Sequence, residues 1–196
     1  TNQHVLYNNI PGHMIWSGIQ AKCTANDASN YNVFRMTNAN QTGSSGFFDV
    51  SHCIAVGVVS GGSTVYGFQP GVPGAGGICR TWNCIAIDCS QGFVGAGTGH
   101  VFYNCTAADC ATSGFTEDVA CVVTNCLSKG ATVGFIGTFT GGNYNSEDDG
   151  NGAPGANSNS GVTFTFVNAA ADDFHLASTD TGAKGLGVSN PGSGLF

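Results

Sequence analysis

Charge is what this chain has least of. Five residues are basic (Lys22, Arg35, Arg80, Lys129 and Lys184) against twelve acidic ones, and the formal net charge is −7 at pH 7. Binding to a nucleic-acid backbone needs clustered Lys and Arg to displace counterions, so that class of partner is excluded. The same shortage removes adhesion to anionic membrane surfaces. No apolar run approaches the roughly 20 residues of a membrane span. The opening "TNQHVLYNNI" lacks the basic and apolar regions of a signal peptide, so either a signal has been removed or the chain belongs to a longer polypeptide. Only five leucines are present, too few for a leucine-rich repeat.

Glycine and cysteine are abundant instead, 31 and 9 in 196 residues. The length and 41% apolar content suit one domain with a sizeable core. Three phrases share one pattern: "NCIAIDCSQGF", "NCTAADCATSGF" and "NCLSKGATVGF", beginning at Asn83, Asn104 and Asn125, a step of 21 residues each time. Asn83, Asn104 and Asn125 form one column and Cys84, Cys105 and Cys126 the next. Cys89 and Cys110 align with Ala131. "HCIAVG" at 52–57 is a looser, earlier copy: Cys53 precedes Cys84 by 31 residues, with the excess in glycine-rich stretches where insertions are tolerated.

The segments between these columns are short, β-branched or aromatic, and bounded by Gly, Ser and Asn. "HVFYNCTA", "CVVTNCLS" and "VTFTFVNA" are strands by that criterion. Three short strands and three turns fill about 21 residues, which is one coil of a parallel β-helix. The sequence therefore predicts an all-β, right-handed parallel β-helix over 1–140. An acidic Gly/Asn-rich loop at 141–161 and a closing segment, ending at 196, form an irregular C-terminal cap. Stacked coils would place the asparagines in a ladder at a sharp turn, where Asn tolerates left-handed backbone. Cys84, Cys105 and Cys126 would point inward as buried, reduced thiols, with Thr81, Phe102 and Val123. Phe93, Phe115 and Phe135 would fill the opposite wall. Parallel Cβ vectors on adjacent strands disfavour disulfides in a column. CxxxxC spacing without nearby His pairs disfavours zinc.

These repeats resemble the right-handed β-helix proteins of the pectate-lyase-like superfamily over about residues 5–140. The closing phrase from Asp173 through Gly185, with "DFHL" and "AKG", looks like the end segment of secreted-surface or phage structural β-helix proteins. The resemblance implies a fold rather than an activity, because one superfold hosts many functions. Polysaccharide lyases of this kind need calcium carboxylates and a basic residue on one face. Here Arg80 and Lys129 stand in different columns. Polygalacturonase-like hydrolases carry "NTD", "DD" and "GHG"; this chain has "GHV" at 99–101 and places "EDD" in the expected loop.

Candidate site residues follow. Asp88 and Asp109 align one coil apart and are the one carboxylate pair offered for glycosidase chemistry; solvent-facing turn residues are the plainer reading. Asn145, Glu147 and Asp149 imitate the start of a calcium loop, but Ala156 stands where an EF-hand needs Glu. Calcium is thus the one cofactor the sequence admits, against an acidic surface loop. His52 and His100 read as turn or surface residues. Tyr7, Tyr31, Trp16, Trp82 and Tyr103 offer rings for sugars where exposed and packing where not. Sequons occur at Asn40 and Asn104, the second inside the ladder. The leading function is a non-enzymatic structural or adhesion module on an extracellular or virion surface, working as a homo-oligomer or larger assembly. The alternative is a glycan-degrading β-helix enzyme of the tailspike type.

Overall fold

In a stacked solenoid each residue meets its counterpart in the next coil, so the columns of the sequence should reappear as register. They do. The structure, a computed structural model, describes residues 3–8, 13–25, 27–36, 47–71, 77–97, 99–117, 120–171 and 173–189. Three parallel sheets of six strands form the walls of a β-helix. Wall A holds Gln3–Asn8, Asn30–Met36, Thr64–Pro70, Gln91–Gly95, Ser113–Glu117 and Val133–Ile136. Wall B holds Met14–Ser17, Phe47–Ser51, Ile78–Trp82, His100–Tyr103, Val122–Thr124 and Gly141–Asn143. Wall C holds Gln20–Thr24, Ile54–Val58, Ile85–Ile87, Thr106–Ala108, Leu127–Lys129 and Ser146–Glu147. The chain visits A, B and C in turn.

The column Trp16, Val50, Thr81, Phe102, Val123 and Gly142 advances by 34, 31, 21, 21 and 19 residues. The coils shorten toward the C-terminus, and the 31-residue step confirms the looser copy at 52–57. Part of its excess is the turn at 59–63, which carries Gly61 and Gly62 at positive φ between wall C and wall A.

The interior is layered. Phe34, Phe68, Phe93, Phe115 and Phe135 stack up wall A with ring centroids 4.7, 5.0, 4.8 and 5.0 Å apart. That is the spacing of paired strands, so the ring ladder and the backbone ladder share one repeat. Phe102 from wall B meets this ladder edge-on, 5.7 Å from Phe93 and 6.1 Å from Phe115. Thr81, Phe102 and Val123 are buried as expected. Cys84, Cys105 and Cys126 are wholly buried, and each thiol donates to a carbonyl two residues back at 3.3–3.4 Å. All nine cysteines are free and buried.

Glycines beside the phenylalanines let wall A close on wall C. A Cβ at Gly67 would lie 2.6 Å from the Gly92 carbonyl oxygen, and one at Gly92 would lie 2.7 Å from that of Gly114. No side chain fits there without moving backbone.

The C-terminal region differs from expectation in two ways. The tract 141–161 is not wholly a loop: it supplies the last strands of walls B and C, Gly141–Asn143 and Ser146–Glu147. Residues after them close the last coil, where Ser146 bridges to Asn159 and Glu147 N–H donates to the Asn159 carbonyl at 3.1 Å. The closing segment does not lie across that end. Phe166–Asn168 and Asp173–Leu176 pair antiparallel around a single 3₁₀ turn and pack on the outside of wall C. There Phe164, Phe166, Phe174 and Ala183 join Ile87 and Ala108, with Ile54, Ile85 and Leu127 partly buried beside them. The reason is apolar matching: wall C is aliphatic on both faces, and the outer one needs a cover. Each phenylalanine so buried contributes roughly 1.5–3 kcal/mol.

Truncating the ladder at its middle tests this packing. Phe93→Ala should destabilise the protein by about 3–5 kcal/mol in urea unfolding, and Gly92→Ala by about 1–3 kcal/mol. Losses under about 1 kcal/mol in both would contradict the stacked interior.

Candidate functional site

With the interior filled, chemistry is confined to corners, outer faces and ends. The corner between walls B and C is a column of left-handed residues: His52 (φ 53), Asn83 (52), Asn104 (50), Asn125 (55) and Tyr144 (57). Asn is the non-glycine residue that adopts this conformation most readily. The backbone N–H of Asn83, Asn104 and Asn125 each donates to the next coil, all at 3.1 Å. Side chains continue the ladder: Asn125 Nδ2 donates to Asn104 Oδ1 at 3.0 Å, and Asn83 Nδ2 lies 3.1 Å from His52 Nε2. The tail closes the column, since Asn125 donates to the Val188 carbonyl at 2.7 Å and accepts from Val188 N–H at 3.0 Å. His52 is therefore a ladder member. Asn104 is half-buried with its amide engaged, and Asn40 lies outside the described residues.

The corner between walls C and A explains Asp88 and Asp109. Both sit at φ 53, and Gly130 follows in the same column at φ 72. Asp88 N–H donates to Ala108 at 3.1 Å and Asp109 N–H to Lys129 at 2.8 Å. Both side chains are exposed at the rim of a shallow cavity of about 300 Å³. The structure does bring the pair together, as surface carboxylates on a turn without the apolar enclosure that makes a glycosidase acid.

The calcium candidates are placed differently. Asn145 is fully buried and works as a cap: its Oδ1 accepts from Cys126 N–H at 2.9 Å, and its Nδ2 donates to Val123 and Pro154 at 2.9 and 2.8 Å. Glu147 is also fully buried, which corrects the reading of an acidic surface loop. Its carboxyl accepts from Gly150, Gly152 and Gly161 N–H at 2.7, 3.4 and 3.2 Å. Asp149 turns Oδ1 inward toward Gly134, and its Oδ2 accepts from Asn151 Nδ2 at 2.5 Å. Among the described residues no group of three or more His, Cys, Asp or Glu is placed to hold a metal ion. Asn145 reaches back to the coil before its own, and Glu147 gathers the amides of the chain that follows the last strand, where no further coil supplies acceptors.

Sequence reasoning missed one polar cluster. On the outer face of wall B, Arg80 grips Asp49 through two bonds, Nε to Oδ1 at 2.7 Å and Nη2 to Oδ2 at 2.8 Å. Asp49 is 7% exposed in its side chain although it faces outward, and exposed His13 adds a contact at 3.4 Å. Arg80 also lies 5.8 Å from the Trp82 ring, and Trp82 is in register with Tyr103 one coil on. The signal was present: Asp49 and Arg80 are 31 residues apart, the offset of Cys53 and Cys84. Such a fork-on-fork pair neutralises the carboxylate and fixes both side chains. Of the other rings, Trp16 packs 5.9 Å from Phe34, Tyr31 is buried with its hydroxyl donating to Asp27 at 2.8 Å, and Tyr7 is exposed.

His100 is also not where the sequence suggested. It is 1% exposed, inside wall B, in register with Cys79, and neither ring nitrogen has a partner. Burial lowers its pKa to about 4. The nearby titratable groups are the Cys79 and Cys121 thiols and Glu117, whose carboxyl accepts from Cys121 N–H at 2.7 Å.

No protein-family model matches the chain, and no curated protein or solved structure matches it either. The fold and the sites above therefore rest on this chain's own residues.

Two outcomes follow from the buried polar groups. Replacing Glu147 with Gln removes the charge that three glycine amides converge on. Urea unfolding should show a loss of about 1.5–3 kcal/mol, and an unchanged midpoint would count against the cap. For His100 the folded pKa is depressed, so the native state binds fewer protons than the unfolded chain. Its contribution to stability is complete above about pH 6.5 and falls as pH drops toward about 4, by roughly 3 kcal/mol in all. His100→Phe should flatten that part of the stability–pH curve. A variant as acid-sensitive as the parent between pH 4 and 6.5 would refute it.

Proposed function

We propose that this chain is a non-enzymatic structural or adhesion module of an extracellular or virion surface, a fibre, filament or decoration subunit acting as a homo-oligomer or in a larger assembly. The observation that carries this reading is the difference between the two ends of the solenoid. The C-terminal end is closed by its own chain: Glu147 accepts from Gly150, Gly152 and Gly161 N–H, and Asn159 bridges to Ser146 of the last coil. At the other end Gln3–Asn8, Met14–Ser17 and Gln20–Thr24 are the edge strands of the three sheets. Among the described residues nothing pairs with their outer edges. Val5, Tyr7 and Ile15 are 45, 50 and 63% exposed there. Open edges with apolar side chains are templates for further strand pairing. The closing phrase Asp173–Gly185 supports a place beside the pectate-lyase-like solenoids of secreted or phage structural type. Burial of every thiol would let the cysteines stay reduced on such a surface.

One observation favours the alternative, a glycan-degrading β-helix. Trp82 and Tyr103 stand one coil apart on the outside of wall B beside Arg80 and Asp49, as rings for successive sugars would. Turnover of acidic or neutral glycans that disappears in Asp88→Asn or Asp109→Asn would establish this reading over the first.

For the assembly, light scattering across a wide concentration range should give a mass that is a multiple of 19.8 kDa. Ile15→Lys should weaken the association at least tenfold, because a lysine on an edge strand opposes pairing. A monomer at every concentration would sink the proposal.

A further inference from the structure

Between the outside of wall C, the asparagine corner and the closing segment lies a cavity of about 280 Å³ that the proposed assembly does not use. Its size is near the lower end of the range for small-molecule sites. Two breaks in the columns border it. The outer column of wall C runs Ile54, Ile85, Thr106, Leu127 and Ser146, so a small polar residue ends a row that is otherwise mostly aliphatic. Leu127 of that row packs outward against the closing segment, and Ser146 shares its register. Ser146 lines the cavity and is wholly buried, yet its Oγ has no hydrogen-bond partner. The second break is Tyr144, which follows Asn83, Asn104 and Asn125 at the corner. It holds φ 57, a backbone that a bulky side chain adopts only at a steric cost, and it too lines the cavity.

The closing phrase Ala183–Gly185 forms the facing side. Lys184 Nζ donates to the Ser178 carbonyl at 2.6 Å and has no carboxylate within ion-pair distance among the described residues. Asp180 is already engaged, accepting from the N–H groups of Thr165, Ala183 and Lys184 at 2.7, 2.9 and 3.0 Å. Among the described residues no acid lines the cavity.

We propose that this cavity binds a small organic monocarboxylate, its charge held at Lys184 and its apolar body set against Leu127, Leu176 and Ala183. Sign is the first argument. The charged residue in the lining is a cation on a chain of net charge −7, so an anion is drawn to this place and repelled by most of the surface. An ammonium has three donors, and one is used. The hydroxyls of Ser146 and Tyr144 can donate to a second carboxylate oxygen. The apolar lining is the second argument, because an inorganic anion gains nothing from Leu127, Leu176 and Ala183, whereas a hydrocarbon body is buried there. Third, an orphaned buried hydroxyl and a strained tyrosine both cost the fold stability, and a ligand accounts for both at one place.

The test uses the full chain with benzoate as the probe, benzyl alcohol as its neutral counterpart and inorganic phosphate as an anion without an apolar body. Amide NMR should show saturable benzoate shifts at Ser146, Lys184, Gly185 and Gly187, with a Kd of about 1–10 mM for so few atoms. Benzyl alcohol and phosphate should each bind at least tenfold more weakly. Lys184→Gln should weaken benzoate at least tenfold, while Lys22→Gln, at the opposite end of wall C, should not. Tyr144→Asn restores the ladder residue, and Ser146→Ala removes the orphan hydroxyl. Each should weaken benzoate several-fold while the urea midpoint holds or rises. No saturable shift at those amides, or equal binding of either comparison compound, would overturn the proposal. Affinity losses in the Tyr144 and Ser146 variants that merely follow a falling midpoint would overturn it as well, since both residues would then serve packing alone.

Discussion

The constraint on which this structure depends is that every side chain must live directly above a copy of its own position, about one strand spacing away. A position can be filled only by a residue that tolerates its neighbour at that distance. Phenylalanine does so by stacking, at 4.7–5.0 Å along wall A. Asparagine does so because its amide both donates and accepts, as Asn125 and Asn104 show. A thiol does so because it is small and its weak donor finds a carbonyl two residues back. A charged side chain does so badly, since its own copy repels it, unless a partner of opposite sign occupies the next coil. Asp49 beneath Arg80 is that case. The scarcity of Lys and Arg is thus a property of the stack before it is one of function.

Stacking also creates the problem of ends and edges. Within the coils each corner N–H finds the carbonyl of the next coil; the last coil has none to find. Tyr144 N–H, the corner donor of that coil, turns to the Asn143 side chain at 3.0 Å, while Asn145 ties the same coil back to Cys126 N–H and the Val123 carbonyl of the coil before. Asp148 does the same for Gly130 N–H at 3.0 Å. Glu147 then gathers three glycine amides, so that the chain turns back with its donors satisfied. The aliphatic outer side of wall C is a separate demand, met by Phe164, Phe166 and Phe174.

Much of this was legible in the sequence, and the boundary of legibility has a physical form. The period gave the coils, the inward cysteines and the phenylalanine wall, because a repeating residue reports a repeating environment. Asp88 and Asp109 were recognised as aligned, but their alignment is that of a left-handed corner, where Asp stands in for Asn and Gly. Reasoning failed at positions that occur once. "NSEDDGNG" was read as solvated acid because its composition is that of a loop. Nothing in it reveals that Glu147 falls on the inward phase of wall C, yet its register with Ser128 places it there. His100 misled for the same reason: it occupies the Cys79 column, where neutral imidazole is tolerated as a core side chain.

It follows that specificity in this molecule has to be sought where the columns break their own rule. A column that repeats without exception is explained by packing. Wall B's outer column runs Ile15, Asp49, Arg80, Val101 and Val122, and only its two charged members differ in kind from their neighbours. The second corner runs from Gly57, still within the strand Ile54–Val58, through Asp88 and Asp109 at φ 53 to Gly130. Gly130 already serves it at φ 72. Two exposed carboxylates in successive coils repel each other only weakly through water, so the corner tolerates both. Asp49 and Arg80 break their column at a cost that their own pairing offsets, which makes the outer face of wall B, and not this corner, a place where the stack departs from packing alone.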